Sequence, residues 1–173
     1  RLTLANVLDA AANGAVVMNH APVRSLSYAS PNGPADGVIL QDLLGGASVH
    51  LRARLVISCV GPWTDEIARL EDSAAGPAVR GTKGVHIAVP ASRVGNVAAV
   101  TMTSPDDGRV MFTLPASGGM TIIGTTDTAT DEHPASVRAS RADVRYLLSA
   151  CNRFFPEARL TEGDVVSAWA GIR

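Results

Sequence analysis

The strongest constraint on this chain is Lys83-Gly84-Val85-His86-Ile87-Ala88-Val89-Pro90, an alternating apolar run with one histidine inside it and a lysine between Gly81 and Gly84 at its head. Such alternation reads as a β-strand. A second strand-like run, Met120-Thr121-Ile122-Ile123, leads straight into Gly124-Thr125-Thr126-Asp127, a turn with two hydroxyls and one carboxylate. A third, at 165–169, ends in Ala170-Gly171-Ile172-Arg173. Each apolar run therefore closes on small residues plus one or two polar groups. Strands that carry polar groups at one end of a sheet can floor a ligand pocket. The same pattern also fits three core strands with ordinary turns.

The rest of the chain predicts what surrounds these strands. Leu4, Val7, Leu8 and Ala11 recur at helical spacing, so residues 2–12 read as an amphipathic helix, with Arg1 at its head and Asn13-Gly14 as its stop. Strands follow at 15–18, 23–28, 38–42 and 47–51, with the turn-rich residues 30–37 and the pair Gly45-Gly46 between them. Residues 53–60 are solidly apolar, which predicts a strand covered on both faces, as in a parallel sheet flanked by helices. Gly61-Pro62-Trp63 then opens a helix with Asp65 and Glu66 in its first turn. The Gly/Ala/Pro-rich stretch 71–82 marks a boundary, dividing the chain into lobes of residues 1–75 and 76–173. Beyond it, strands near 84–89, 97–101, 109–114 and 120–123 predict an antiparallel sheet. Ser140-Arg141-Ala142-Asp143 is a capping-box pattern opening a helix that runs to Phe154, with Pro156 as the stop. The fold class is thus α/β grading into α+β.

With 15 basic and 16 acidic side chains among 173 residues, the chain has no electrostatic case for a nucleic-acid partner. Its two cysteines, Cys59 and Cys151, sit in apolar settings and read as buried free thiols, as in a reducing compartment. No leader pattern and no run approaching about 18 apolar residues occurs, so the chain reads as soluble and cytoplasmic. The absence of an initiator methionine and the abrupt ends predict an internal piece of a longer polypeptide. Metal ligation has no support, since H-E-x-x-H, C-x-x-C and EF-hand patterns are all missing. The hydrolase elbow G-x-S-x-G, the P-loop and the dinucleotide fingerprint G-x-G-x-x-G are missing as well. His20, His50 and His133 lie beside turns or at polar positions and read as solvated. His86 fits two roles, a proton acceptor at neutral pH or a core histidine bonded to a backbone carbonyl.

Taken together, Ser58-Cys59-Val60-Gly61-Pro62-Trp63-Thr64-Asp65, Lys83-Gly84-Val85-His86-Ile87-Ala88-Val89-Pro90, Ile123-Gly124-Thr125-Thr126-Asp127 and Ala170-Gly171-Ile172-Arg173 occur in that order. With Tyr146-Leu147-Leu148 and Asn152-Arg153-Phe154-Phe155-Pro156 between them, the chain resembles the middle of an FAD-dependent glycerol-3-phosphate dehydrogenase, of the D-amino-acid-oxidase-like flavoprotein group. The resemblance covers essentially the whole chain. It implies the later part of an FAD-binding Rossmann-like lobe, followed by an antiparallel-sheet substrate lobe with flanking helices. It implies FAD as cofactor, with Gly61, Trp63 and the Val23 backbone beside it. It further implies His86 as the catalytic histidine, Arg173 as a phosphate ligand, and Lys83 and Thr125 at the pocket edge. The activity implied is oxidation of sn-glycerol 3-phosphate to dihydroxyacetone phosphate by hydride transfer to the flavin, and the isolated piece is expected to be inactive. An acceptor such as a quinone, a peripheral position on the cytoplasmic membrane face and self-association through an open sheet are the further expectations.

The chain departs from the family pattern in three places. Ser58-Cys59-Val60-Gly61 stands where the family has Asn-Ala-Ala-Gly, Val85 where it has serine, and Ile172 where it has valine. Two other readings remain open from sequence. One is an amine-oxidising flavoenzyme of the same group, against which Gly-Thr-Thr-Asp and Lys-Gly-x-His argue. The other is a non-catalytic binding module, against which apolar strands lacking their own edge protection argue.

Overall fold

A computed structural model describes residues 2–31 and 33–173. Arg1, at the head of the first helix, and Asn32, in the 30–37 turn, lie outside the described residues. The chain divides into two compact units. One comprises the chain up to Val60 with Thr64–Gly76, and the other Gly61–Trp63 with Pro77–Arg173.

In the first unit, α1 (Leu2–Ala12) is the expected amphipathic helix. Asn13 donates its N–H to Asp9 C=O at 3.0 Å before Gly14 takes φ +91° and ends the helix. Strands β1 (Val23–Tyr28), β2 (Ala35–Gln41) and β3 (Ser48–Arg52) form an antiparallel sheet in that order, with Val38 opposite both Leu26 and Leu51. The helix α2 (Thr64–Glu71) packs on β1.

Two expected strands of this unit are not formed. Residues 15–18 pair with nothing in a ladder, and neither do residues 53–60. Ala53 N–H reaches Asp36 C=O at 2.8 Å, but beyond it Leu55 and Ile57 are each 72% exposed. A strand is held by the neighbours on its edges, and an apolar run without them has no reason to extend into a sheet. Sheet pairing among the described residues is accordingly all antiparallel. The same cause corrects the reading of Cys59, which is exposed because the run around it is uncovered, whereas Cys151 is buried.

The second unit is built on β4 (Thr82–Pro90). It continues through α3 (Ala91–Val94), β5 (Val100–Thr103), β6 (Val110–Ala116), β7 (Met120–Gly124), β8 (Thr128–Ala129), α4 (Arg141–Phe154) and β9 (Ser167–Ile172). His86 lies opposite Gly124 of β7 and Trp169 of β9, while Lys83 lies opposite Thr128 of β8 and Ile172 of β9. One edge of β4 is therefore shared by β7 and β8, and the other belongs to β9. The meander β5–β6–β7 extends the sheet beyond β4.

Strand alternation sorts β4 onto two faces. Lys83, Val85, Ile87 and Val89 are buried on one, where the apolar three join Met102, Met111, Ile123, Leu147, Leu148 and Cys151 in the core. Burial pushes the Cys151 thiol up to about 11, so it packs there as an unreactive hydrophobe. Gly84 and His86 belong to the opposite face.

The helix α4 begins at the expected capping box. Ser140 Oγ accepts the Asp143 N–H at 3.2 Å, and Asp143 Oδ2 accepts the Ser140 N–H at 2.9 Å. The same Oδ2 lies 2.9 Å from Lys83 Nζ. This ion pair settles where Lys83 goes. Its side chain turns to α4, not to the face that carries His86.

Burial works to raise the Asp143 pKa, but hydrogen bonds from Ser140 and Lys83 outweigh it and hold the carboxyl below the usual carboxylate range. A carboxyl depressed in the folded state contributes stability above its unfolded pKa of about 3.9, and loses that contribution as pH falls through the folded value. Thermal denaturation across this acid range is expected to show the loss in the parent protein. Asp143→Asn should be less stable at neutral pH and should flatten that part of the profile. Parallel profiles for the two proteins would show that the pair contributes nothing.

Candidate active site

The face of the second sheet opposite α4 carries three of the expected site residues, His86, Thr125 and Arg173. The His86 imidazole stacks on the Trp169 indole, with ring centroids 5.7 Å apart and planes 7° from parallel. Its other flank lies over Gly124. A Cβ built there would fall on His86 Cδ2 and come within 2.7 Å of Nε2 and 2.9 Å of Cγ. The two cross-strand partners of His86 therefore supply, respectively, an aromatic wall and the space that the ring occupies. Around them the face is apolar and open, with Phe112, Leu114 and Trp169 between 38% and 43% exposed.

One register step away, β4 presents Gly84, and Arg173 lies across it. A Cβ on Gly84 would meet Thr125 Oγ1 at 3.1 Å, Arg173 Nε at 3.2 Å and Arg173 Nη2 at 3.3 Å. The Arg173 backbone is fixed by reciprocal 2.9 Å bonds with Thr82. Its guanidinium donates from Nη2 to Thr126 C=O at 2.7 Å and lies 3.5 Å from Asp127 Oδ1. Thr125 Oγ1 donates to the same Thr126 carbonyl at 3.1 Å.

The electrostatics follow from this layout. Half-buried His86 loses hydration of its charged form, and the nearby Arg173 guanidinium adds like-charge repulsion, so its pKa lies below the ordinary histidine value. The imidazole is neutral at pH 7 and has a nitrogen lone pair to accept a proton. A half-exposed arginine beside a neutral base can hold an anionic group while the base acts on a neighbouring hydroxyl.

Of the expected site residues, His86, Thr125 and Arg173 share this face. Lys83 is separated from them by strand parity and is paired with Asp143. Gly61 and Trp63 form a 3-10 turn that belongs to the same unit, with Gly61 at φ +55° in the left-handed region that favours glycine. Val23, half-buried at the start of β1, belongs to the first unit. Sequence reasoning did not single out Trp169 or Thr126 as site residues. The alternation of 165–172 could have paired Trp169 with His86 only once the register of two distant strands was known. Two cavities, of about 580 and 340 Å³, lie in the first unit, lined around Tyr28 and Glu71 and around Val17 and Leu40. Neither is lined by the residues above.

A family model described as FAD dependent oxidoreductase matches residues 1–173. The aerobic glycerol-3-phosphate dehydrogenase of Staphylococcus haemolyticus is 34% identical over 173 residues, covering all of this chain and 31% of that protein. The alpha-glycerophosphate oxidase of Streptococcus pneumoniae is 36% identical over 178 residues, covering all of this chain and 28% of that protein. The chain thus spans less than a third of the length of these relatives. Among solved structures, the glycerol-3-phosphate dehydrogenase from Bacillus halodurans complexed with FAD matches with a TM-score of 0.90 at 40% identity, over all of this chain and 34% of that one. A glycine oxidase from Bacillus cereus matches with a TM-score of 0.72 at 21% identity, over 99% of this chain and 42% of that one, a likeness of fold.

An NMR titration of the imidazole is expected to place the His86 midpoint below about 6.5. Arg173→Gln removes the repulsion but not the burial, so the midpoint should rise without recovering the full difference. A midpoint that does not move would mean that the guanidinium and imidazole do not sense each other.

Proposed function

The chain belongs to the FAD dependent oxidoreductase family, and on that premise we propose that it is part of a flavoenzyme that oxidises sn-glycerol 3-phosphate to dihydroxyacetone phosphate. The observation that carries the proposal is the joint occurrence of a neutral histidine and a half-exposed arginine on one apolar sheet face. A secondary alcohol bearing a phosphate needs both groups. The names of the relatives support the same substrate.

The residues fit one end of FAD. Phe112, Leu114 and Trp169 give an apolar face, and a Cβ on Gly171 would meet nothing within 4 Å, so a planar ring system can approach closely. The diphosphate end has no G-x-G-x-x-G loop in this stretch. Gly61 and Trp63, with the Val23 backbone, are proposed to border the cofactor. When bound, FAD supplies the two-electron acceptor that alcohol oxidation requires.

The chain's own residues have two tasks. Arg173 engages the phosphate through guanidinium N–H groups, which fixes the carbon chain relative to the imidazole. His86, uncharged at neutral pH, accepts the proton of the secondary hydroxyl as the carbon is oxidised. Trp169 and the space over Gly124 hold the imidazole plane, so the lone pair meets the hydroxyl without a search over ring rotations. Thr125 lines the edge of the site. Lys83 takes part only through the helix beneath the sheet. For the intact enzyme a quinone is the proposed electron acceptor and the cytoplasmic membrane face its proposed location. No helix among the described residues is long and apolar enough to cross a membrane.

The test is the visible spectrum of the intact flavoprotein titrated anaerobically with glycerol 3-phosphate. The oxidised-flavin band is expected to bleach. His86→Ala should slow the bleaching rate by about 100-fold or more. Arg173→Gln should raise the concentration required by at least about tenfold. A flavin bleached by amines and not by glycerol 3-phosphate would overturn the proposal in favour of an amine oxidase, and a colourless protein would remove the redox reading.

A further inference from the structure

The pairing along β4 leaves a gap that one side chain fills. β7 accompanies β4 from Pro90 to His86, and β8 resumes at Lys83. Between them the chain bulges away as Thr125, Thr126 and Asp127, and Gly84 and Val85 are paired by neither strand on that side. Thr126 Oγ1 fills this gap. It accepts the Val85 N–H at 3.0 Å and donates to Lys83 C=O at 3.2 Å. The side chain is 2% exposed, so both backbone groups would lack water as well as a partner without it. The hydroxyl thus fixes the bulge, and the bulge turns the Thr126 carbonyl outward, where it accepts from Arg173 Nη2 at 2.7 Å.

Resting on the dehydrogenase reading, we propose that Thr126 is a positioning residue that makes this site selective for substrates with an anionic end, acting through Arg173. An arginine with several rotatable bonds binds an anion well only when its fork is already aimed. Here Gly84 gives the guanidinium a flat bed, its Nε and Nη2 atoms lying just 3.2 and 3.3 Å from where a Cβ would stand. The Thr126 carbonyl and Asp127 together hold Nη2. Asp127 is the weaker tether, at 3.5 Å and with both side chains more than half exposed. The bulged carbonyl is the stronger one, and its direction depends on the Thr126 hydroxyl.

The test compares the parent holoenzyme with Thr126→Ser, Thr126→Val and Gly84→Ala. Calorimetric titration with inorganic phosphate is expected to give parent-like affinity for Thr126→Ser, which keeps the hydroxyl. Thr126→Val and Gly84→Ala are each expected to weaken binding by about five- to tenfold. Kinetics should show the same split. KM for glycerol 3-phosphate rises in those two variants by a clearly larger factor than kcat/KM for uncharged glycerol changes, a selectivity that general damage would not produce. Should Thr126→Val fail to fold, Gly84→Ala decides, because it disturbs the guanidinium without removing a buried hydrogen bond. Unchanged phosphate affinity in the folded variants, or equal losses on both substrates, overturns the proposal. A parent enzyme that binds no phosphate and oxidises glycerol 3-phosphate no better than glycerol overturns the dehydrogenase reading, and this inference with it.

Discussion

Hydrogen bonding along both edges of β4 is the constraint on which the second unit depends. Its backbone is shared among β7, β8 and β9, and each of these neighbours brings one piece of the site. β7 contributes the absent side chain of Gly124, the link to β8 contributes the Thr126 carbonyl, and β9 contributes the indole and aims the guanidinium of Arg173, the residue just past its end. A one-residue slip between β4 and β9 would send His86 and Trp169 to opposite faces of the sheet. The core prevents the slip, since Val85, Ile87 and Val89 are wholly buried and cannot exchange faces with His86. Register, core and site are therefore a single specification.

Within that frame Arg173 has two electrostatic effects that reinforce each other. It offers positive charge to an anion, and it disfavours a second positive charge on His86. The two effects need the same closeness, which Gly84 permits by having no side chain. Lys83 would add a second cation to this face if it pointed there. Strand parity sends it instead to Asp143, where a capping carboxylate matches it and ties α4 to the reverse side of the sheet. The face that carries His86 and Arg173 is thus spared a further cation, and the helix is anchored by Lys83.

Much of this was legible in the sequence because it depends on local periodicity. The helices at Leu2–Ala12 and Arg141–Phe154, the capping box at Ser140 and the alternation of β4 all follow from residues a few positions apart. The co-occurrence of His86, Thr125 and Arg173 was reachable through resemblance and not through spacing. What escaped depended on partners far along the chain. The apolar run 53–60 carries the pattern of a buried strand, but pattern supplies no neighbour to bond with, and Leu55 and Ile57 stand exposed. Thr126 reads as one hydroxyl in a polar turn until the gap between β7 and β8 is seen. Lys83 is placed at the pocket edge by the resemblance, but residues an odd number of positions apart along a strand lie on opposite faces, and Lys83 and His86 are three apart.

The pairing of β4 with β9 joins the start of the second unit to its end. His86 and Arg173 are neighbours in space, yet nearly the whole sheet and its covering helix are strung between them along the polypeptide. Such a contact is entropically expensive to close unless the meander and α4 between the two strands are already structured. During synthesis the histidine is made long before its arginine, and for that interval the imidazole rests on an unfinished surface. The histidine and the arginine therefore share a surface only where strands far apart in sequence are paired, so their closeness reports that this long-range pairing has formed.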